Sequence, residues 1–143
     1  NRIREIASYF NAEMVICDKH RKRANEIASM VVIGDVTDRD VVIIDDICDT
    51  GGTLAKSAGL LKEKGARSVR ALITHPVLSG KAYENIENSV LEELVVCDTI
   101  PMRKESSKIK PVSVAELFAV AIRNAYENKS ITSLFIHSQR KDR

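Results

Sequence analysis

The run Val41–Ile44 is apolar and β-branched at every position, and it ends on two adjacent carboxylates, Asp45 and Asp46. Continuous rather than alternating apolarity predicts a strand covered on both faces, the pattern of a parallel sheet. The residues that follow, ICDTGGT (Ile47–Thr53), break the strand through Gly51 and Gly52. A helix from about Gly52 to Lys64 then carries Leu54, Ser57, Ala58 and Leu61 on one stripe, with Gly65 as its stop. Strand, glycine turn and helix in that order form a βα unit, which narrows the fold more than any other stretch.

The rest of the chain repeats the alternation. NRIREIASYF opens it as a helix, with Ile3, Ile6, Ala7 and Phe10 at helical spacing. Short strands are predicted over Glu13–Asp18, Met30–Val36, Arg67–His75 and Leu91–Ile100, and a short helix over KAYENIEN (Lys81–Asn88). RKESSKIK (Arg103–Lys110) reads as a polar surface excursion. Ser113 is placed to cap an amphipathic helix through Val114, Leu117, Phe118, Ala121, Ile122 and Ala125. The expected architecture is α/β, a doubly wound and mostly parallel sheet flanked by helices. One domain is expected over residues 1–137, with 138–143 a frayed tail. The first helix begins at Asn1 without a cap, so the chain reads as the later part of a longer protein.

Composition removes several classes of function. Lys and Arg total 22 against 20 Asp and Glu, too even a balance for a chain held to nucleic acid by bulk charge. The three cysteines, Cys17, Cys48 and Cys97, form no CxxC pair, which argues against a disulfide framework or a zinc site and suits the cytoplasm. No apolar run approaches the roughly 20 residues that span a bilayer, and no signal peptide opens the sequence.

The chemistry concentrates after Ile44. In an open α/β sheet, ligands bind beyond the carboxyl ends of the strands, where Asp45 and Asp46 are expected. The helix mouth that follows offers unpaired N–H groups and partial positive charge, a place for phosphate. Gly51 and Gly52 let the backbone approach an anion, and the Thr50 and Thr53 hydroxyls can donate to its oxygens. Two carboxylates beside an anion site repel it unless they serve another part of the same ligand, and vicinal sugar hydroxyls fit that need. A pentose phosphate is the ligand these residues suggest. A strand that merely ends on acids, with Asp49 as a helix cap, is the plainer alternative. A Walker A loop is excluded, because its Gly-x4-Gly-Lys-Ser/Thr spacing is absent.

KHRKR (Lys19–Arg23) is the second element. Alone, a basic run of this length is more often a solvated face than a catalytic one. Following a strand in the same sheet as the acidic loop, it could neutralise charge on transferring phosphoryl oxygens. A run of like charges with few apolar anchors is expected to be mobile.

VVIIDDICDTGGT resembles the pentose-phosphate signature of type I phosphoribosyltransferase folds. With DKHRKRANE (Asp18–Glu26), THPVLSG (Thr74–Gly80), ELVVCDTIP (Glu93–Pro101) and SITSLF (Ser130–Phe135), nearly the whole chain resembles the C-terminal half of the ribose-phosphate pyrophosphokinase family. The resemblance implies transfer of diphosphate from ATP to the anomeric hydroxyl of ribose 5-phosphate, with magnesium, yielding phosphoribosyl pyrophosphate and AMP. It implies that Asp49, Thr50, Gly51, Gly52 and Thr53 bind the 5-phosphate and that Asp45 and Asp46 hold the 2- and 3-hydroxyls. Lys19 and Arg21 match catalytic loop residues, and Arg23 and Asn25 match loop support. Ser130, Thr132 and Phe135 match part of a regulatory site for phosphate or ADP that other subunits complete. Family members form homo-oligomers, and their metal ligands match no residue here, so no protein metal ligand is assigned. Cys48 and Gly51 fall where members vary, and Cys48 reads as a small semi-buried residue. His75 could face the site, but a structural histidine beside a turn is the plainer reading. The alternatives are a nucleobase phosphoribosyltransferase, which shares the acidic loop but has no use for KHRKR, and a non-catalytic regulatory subunit of the same fold.

Overall fold

A computed structural model of the chain describes residues 2–20 and 29–135. The basic stretch 21–28 and the expected tail 138–143 lie outside the described residues, so the expectation of a mobile basic loop falls there too. Two compact units emerge. One comprises Val15–Val112; the other comprises the residues up to Met14 with those from Ser113 onward.

The larger unit holds a four-stranded, all-parallel sheet in the order β3 (Asp40–Cys48), β4 (Ser68–Pro76), β5 (Glu93–Cys97) and β6 (Ile109–Val112). Helices α2 (Gly52–Glu63) and α3 (Ala82–Glu87) make the crossovers from β3 to β4 and from β4 to β5. Parallel neighbours need such crossovers, and right-handed connections between strands in sequential order place successive helices on one face. α2 packs on β3 and β4 and touches α3. The α/β class with a parallel sheet flanked by helices is as expected.

The core follows from alternation along β4. Val69, Ala71 and Ile73 are buried, while Arg70, Leu72 and Thr74 between them are exposed. Leu54, Ala58 and Leu61 of α2 and Ala82 and Ile86 of α3 complete the cluster with Leu91, Leu94, Val96 and Ile109. Each leucine, isoleucine or valine side chain among them, fully buried, contributes about 1.5–3 kcal/mol of transfer free energy. α2 buries the stripe predicted for it, Leu54, Ser57, Ala58 and Leu61. Gly65, at φ +94°, ends it as expected.

Several boundaries and one whole element differ from the sequence reading. β3 does not stop at Asp45 but runs to Cys48, so the acids lie inside the strand rather than at its tip. Nor is β3 covered on both faces: it is an edge strand, and Val42 is 49% and Ile47 52% exposed. The hairpin strands β1 (Ile16–His20) and β2 (Ser29–Ile33) are shifted from Glu13–Asp18 and Met30–Val36 and pair antiparallel, away from the parallel sheet. β2 stops before Gly34, whose φ of +123° suits only glycine and where a Cβ would sit 3.0 Å from the Val15 side chain. β6 begins inside the segment expected to be a surface excursion. It pairs with β5 alone, and Pro111 is tolerated because an edge strand can spare a donor.

In the smaller unit, α1 (Arg2–Tyr9) and α4 (Ala115–Tyr126) occupy the expected helical stretches. Val114 rather than the expected Ser113 takes the N-cap of α4, and the Ser113 hydroxyl, one residue earlier, accepts the Ala115 N–H at 3.3 Å. Ser130–Phe135 contains no strand. It forms a single 3-10 turn, Thr132–Leu134, in which the Thr132 N–H donates to Ser130 Oγ at 3.1 Å. Serine and threonine compete locally for backbone groups in this way.

Candidate functional site

The site is built from the carboxyl end of β3 and the mouth of α2. Gly51 precedes the helix at φ 70°, ψ −7°, a left-handed conformation that a side chain resists. The position is also sterically closed: a Cβ there would meet Ile86 at 3.2 Å and the Ala82 carbonyl oxygen at 3.3 Å. Glycine is thus required at residue 51 both by its dihedrals and by α3 packed behind it. Gly51, at the N-cap of α2, has no side chain with which to cap the helix.

The loop is braced from one direction. The Leu78 N–H donates to the Cys48 carbonyl at 3.1 Å, and the Ser79 N–H donates to the Asp49 carbonyl at 3.0 Å. The Ser79 hydroxyl donates to the Asp49 carboxylate. The Asn85 side-chain amide donates to the Thr50 carbonyl at 2.8 Å. Residues 78–86 therefore hold Cys48–Gly51 through three hydrogen bonds to backbone carbonyls, one to the Asp49 side chain, and the close approach of Ile86 to Gly51. Sequence reasoning missed Ser79 and Asn85, because they sit 30 and 35 residues from their partners and no local pattern marks them.

Asp45 and Asp46 are exposed, and among the described residues neither forms an ion pair. Asp45 accepts the Asp46 N–H at 2.9 Å. Adjacent strand positions direct side chains to opposite faces, so the two carboxylates flank the strand rather than stand side by side. Asp49, Thr50 and Thr53 are exposed, whereas Gly51 and Cys48 are buried. Burial pushes the Cys48 thiol above its ordinary range. The Gly51 N–H opposes this and the Asp49 and Asp45 charges add to it. Cys48 stays a protonated thiol, in keeping with a packing role.

The opposite end of the same strand is closed. The Arg67 guanidinium grips the Asp40 carboxylate with two of its nitrogens, Nε to Oδ1 at 3.0 Å and Nη2 to Oδ2, and the Ser68 hydroxyl adds a bond of 2.6 Å. Those hydrogen bonds hold the Asp40 carboxyl well below the usual carboxylate range.

Lys19 ends up at the close of β1, paired with Met30 of β2. The Ser57 hydroxyl oxygen lies 3.0 Å from the Thr53 carbonyl oxygen, to which its single proton can be donated, and 3.2 Å from the Met30 sulfur. The stem of the basic stretch thus rests one helical turn from the mouth of α2. Arg21, Arg23 and Asn25 lie outside the described residues. Ser130, Thr132 and Phe135 belong to the smaller unit, where the Ser130 and Thr132 hydroxyls bond to each other at 2.9 Å. Among the described residues no three His, Cys, Asp or Glu side chains gather as a metal site. The described residues alone do not assemble a magnesium centre. No helix among the described residues is long and apolar enough to cross a membrane.

Residues 10–136 match the family model of the phosphoribosyl synthetase-associated domain. The chain belongs to that family. Its relatives within the phosphoribosyl synthetase family include the ribose-phosphate pyrophosphokinase of Wolinella succinogenes, 55% identical over 135 residues, which cover 94% of this chain and 44% of that protein. The ribose-phosphate pyrophosphokinase of Campylobacter jejuni is 53% identical over the same shares. The crystal structure of phosphoribosylpyrophosphate synthetase from Mycobacterium smegmatis superposes with a TM-score of 0.69 at 35% identity, covering 77% of this chain and 36% of that one. The chain spans somewhat under half the length of the curated family members it matches.

Proposed function

We propose that this chain is the ribose 5-phosphate-binding, C-terminal catalytic part of a ribose-phosphate pyrophosphokinase. The intact enzyme joins ATP and ribose 5-phosphate: the anomeric oxygen attacks the β-phosphorus of ATP, the α–β anhydride bond breaks, and AMP leaves. One observation carries the reading. Two carboxylates without a cation partner among the described residues immediately precede an uncapped helix mouth whose backbone is fixed by a separate brace.

In this reading the 5-phosphate takes the mouth, bound by N–H groups of the first turn, by the backbone of Asp49, Gly51 and Gly52, and by the Thr50 and Thr53 hydroxyls. Asp45 and Asp46 accept hydrogen bonds from the sugar hydroxyls. Lys19 and Arg21 close over the diphosphate and neutralise the charge that builds on its non-bridging oxygens, with Arg23 and Asn25 supporting them. Alignment of the two substrates supplies much of the remaining acceleration, since no obvious general base stands among these residues. Magnesium, which offsets phosphate charge in such transfers, is held mainly by residues beyond this chain. Ser130, Thr132 and Phe135 form part of a site for phosphate or ADP that neighbouring subunits of a homo-oligomer complete. The reaction belongs to the cytoplasm, and the chain by itself turns over negligibly.

Calorimetric titration of the chain with ribose 5-phosphate tests the assignment. Binding is expected, and Asp45→Ala with Asp46→Ala is expected to weaken it at least about tenfold, the loss of charge-assisted hydrogen bonds. Binding that the double substitution leaves unchanged sinks the assignment of the acids.

A further inference from the structure

The carboxyl end of the sheet holds one further group of defined chemistry, His75, and its ring orientation can be deduced. Thr99, in the loop after β5, places its hydroxyl 2.8 Å from the Thr74 carbonyl oxygen and 2.9 Å from His75 Nδ1. A carbonyl oxygen only accepts, and a hydroxyl has a single proton. The Thr99 proton is therefore committed to Thr74, and the bond to His75 requires the histidine to donate from Nδ1. With Nδ1 protonated, the Nε2 of a neutral imidazole carries a lone pair. Among the described residues Nε2 bonds to nothing, and it is not sealed from solvent.

Register places His75 beside the acids. Asp45 pairs with Ile73 and Ile47 with His75, so Asp45 and His75 are diagonal neighbours on adjacent strands. Strand spacing and rise put their backbones about 8 Å apart. Two features make the histidine a fixed part of the strand end rather than a swinging side chain: the half-buried ring and its tether to the next strand's loop.

We propose that His75 is a sugar-binding residue whose Nε2 accepts a hydrogen bond from a hydroxyl of the bound pentose phosphate, supplementing Asp45 and Asp46. This rests on the proposed function above and extends it by naming a neutral acceptor beside the charged ones. The Thr99 hydroxyl is the positioning group, since it sets the tautomer that leaves Nε2 unprotonated.

Nitrogen-15 NMR of the histidine side chains in the chain, in mildly alkaline buffer, reads the tautomer directly. The expected result is a protonated Nδ1 and an unprotonated Nε2 for His75, with Thr99→Val shifting the balance towards the other form. Ribose 5-phosphate should move the Nε2 resonance together with the Gly51 and Gly52 amides, whereas inorganic phosphate should move the amides alone. His75→Asn keeps a donor for Thr99 and removes the acceptor at the Nε2 position, which the shorter asparagine side chain does not reach. It should weaken ribose 5-phosphate binding about three- to tenfold and leave phosphate binding unchanged. A dominant Nε2–H tautomer overturns the proposal, and so does an unmoved Nε2 while the loop amides shift with ribose 5-phosphate. Loop amides that never shift overturn the pentose-phosphate reading itself, and this proposal with it.

Discussion

Strand β3 carries acids at both ends, and the two ends are treated differently. Asp40, where the strand begins, is met by the Arg67 guanidinium and the Ser68 hydroxyl. Asp45 and Asp46, towards its close, meet no cation among the described residues. An acid satisfied by its own chain is part of the fold. Acids left open beside a helix mouth add nothing to folding, and like charges at adjacent positions oppose it slightly. The fold accepts that cost where the backbone around them is held by other means: Ser79, Asn85 and Ile86 grip the loop from behind and leave its front free.

The largest effect is expected at that grip. Ile86 is fully buried against Gly51, and Ile86→Ala should destabilise the larger unit by about 2–5 kcal/mol, read as a lower urea midpoint with the slope unchanged. Asn85→Ala removes one hydrogen bond to the Thr50 carbonyl and should cost about 1 kcal/mol. Hydrogen exchange should quicken at the loop amides before the β4 amides change, and exchange that quickens uniformly would show that Asn85 is no local brace.

The closed end predicts a pH dependence. The folded-state pKa of Asp40 is depressed, so its stabilisation is present above the ordinary aspartate pKa of about 4 and fades as pH falls below that value. Asp40→Asn should flatten this acid limb in urea titrations and leave ribose 5-phosphate binding untouched. The smallest effect is expected at the open end. Asp45→Asn with Asp46→Asn should change folding stability by no more than about 0.5 kcal/mol while impairing binding. A large loss of stability there would make the acids structural and erase the contrast.

Much of this was legible in the sequence because it is local. The βα unit, the buried stripe of α2 and its glycine stop all depend on residues within a few positions of one another. The boundary of β3 was misplaced because paired acids look like an ending, whereas ladder bonds to β4 carry the strand on to Cys48. β6 was hidden because IKPV has no strand signature of its own and exists only through pairing with β5. The Ser79 and Asn85 brace and the Thr99–His75 tether were hidden for the same reason, since each joins residues at least 24 apart. Single-chain patterns expose the groups that could meet a ligand more readily than the groups that hold them in place.

A crystal structure of this chain grown with ribose 5-phosphate tests the central claim most directly. The account predicts the phosphoryl oxygens at the N-terminus of α2, within hydrogen-bond reach of the Thr50 and Thr53 hydroxyls, and the ring hydroxyls turned towards Asp45 and Asp46. A sugar phosphate bound elsewhere, with the α2 mouth empty and the two carboxylates untouched, would contradict it.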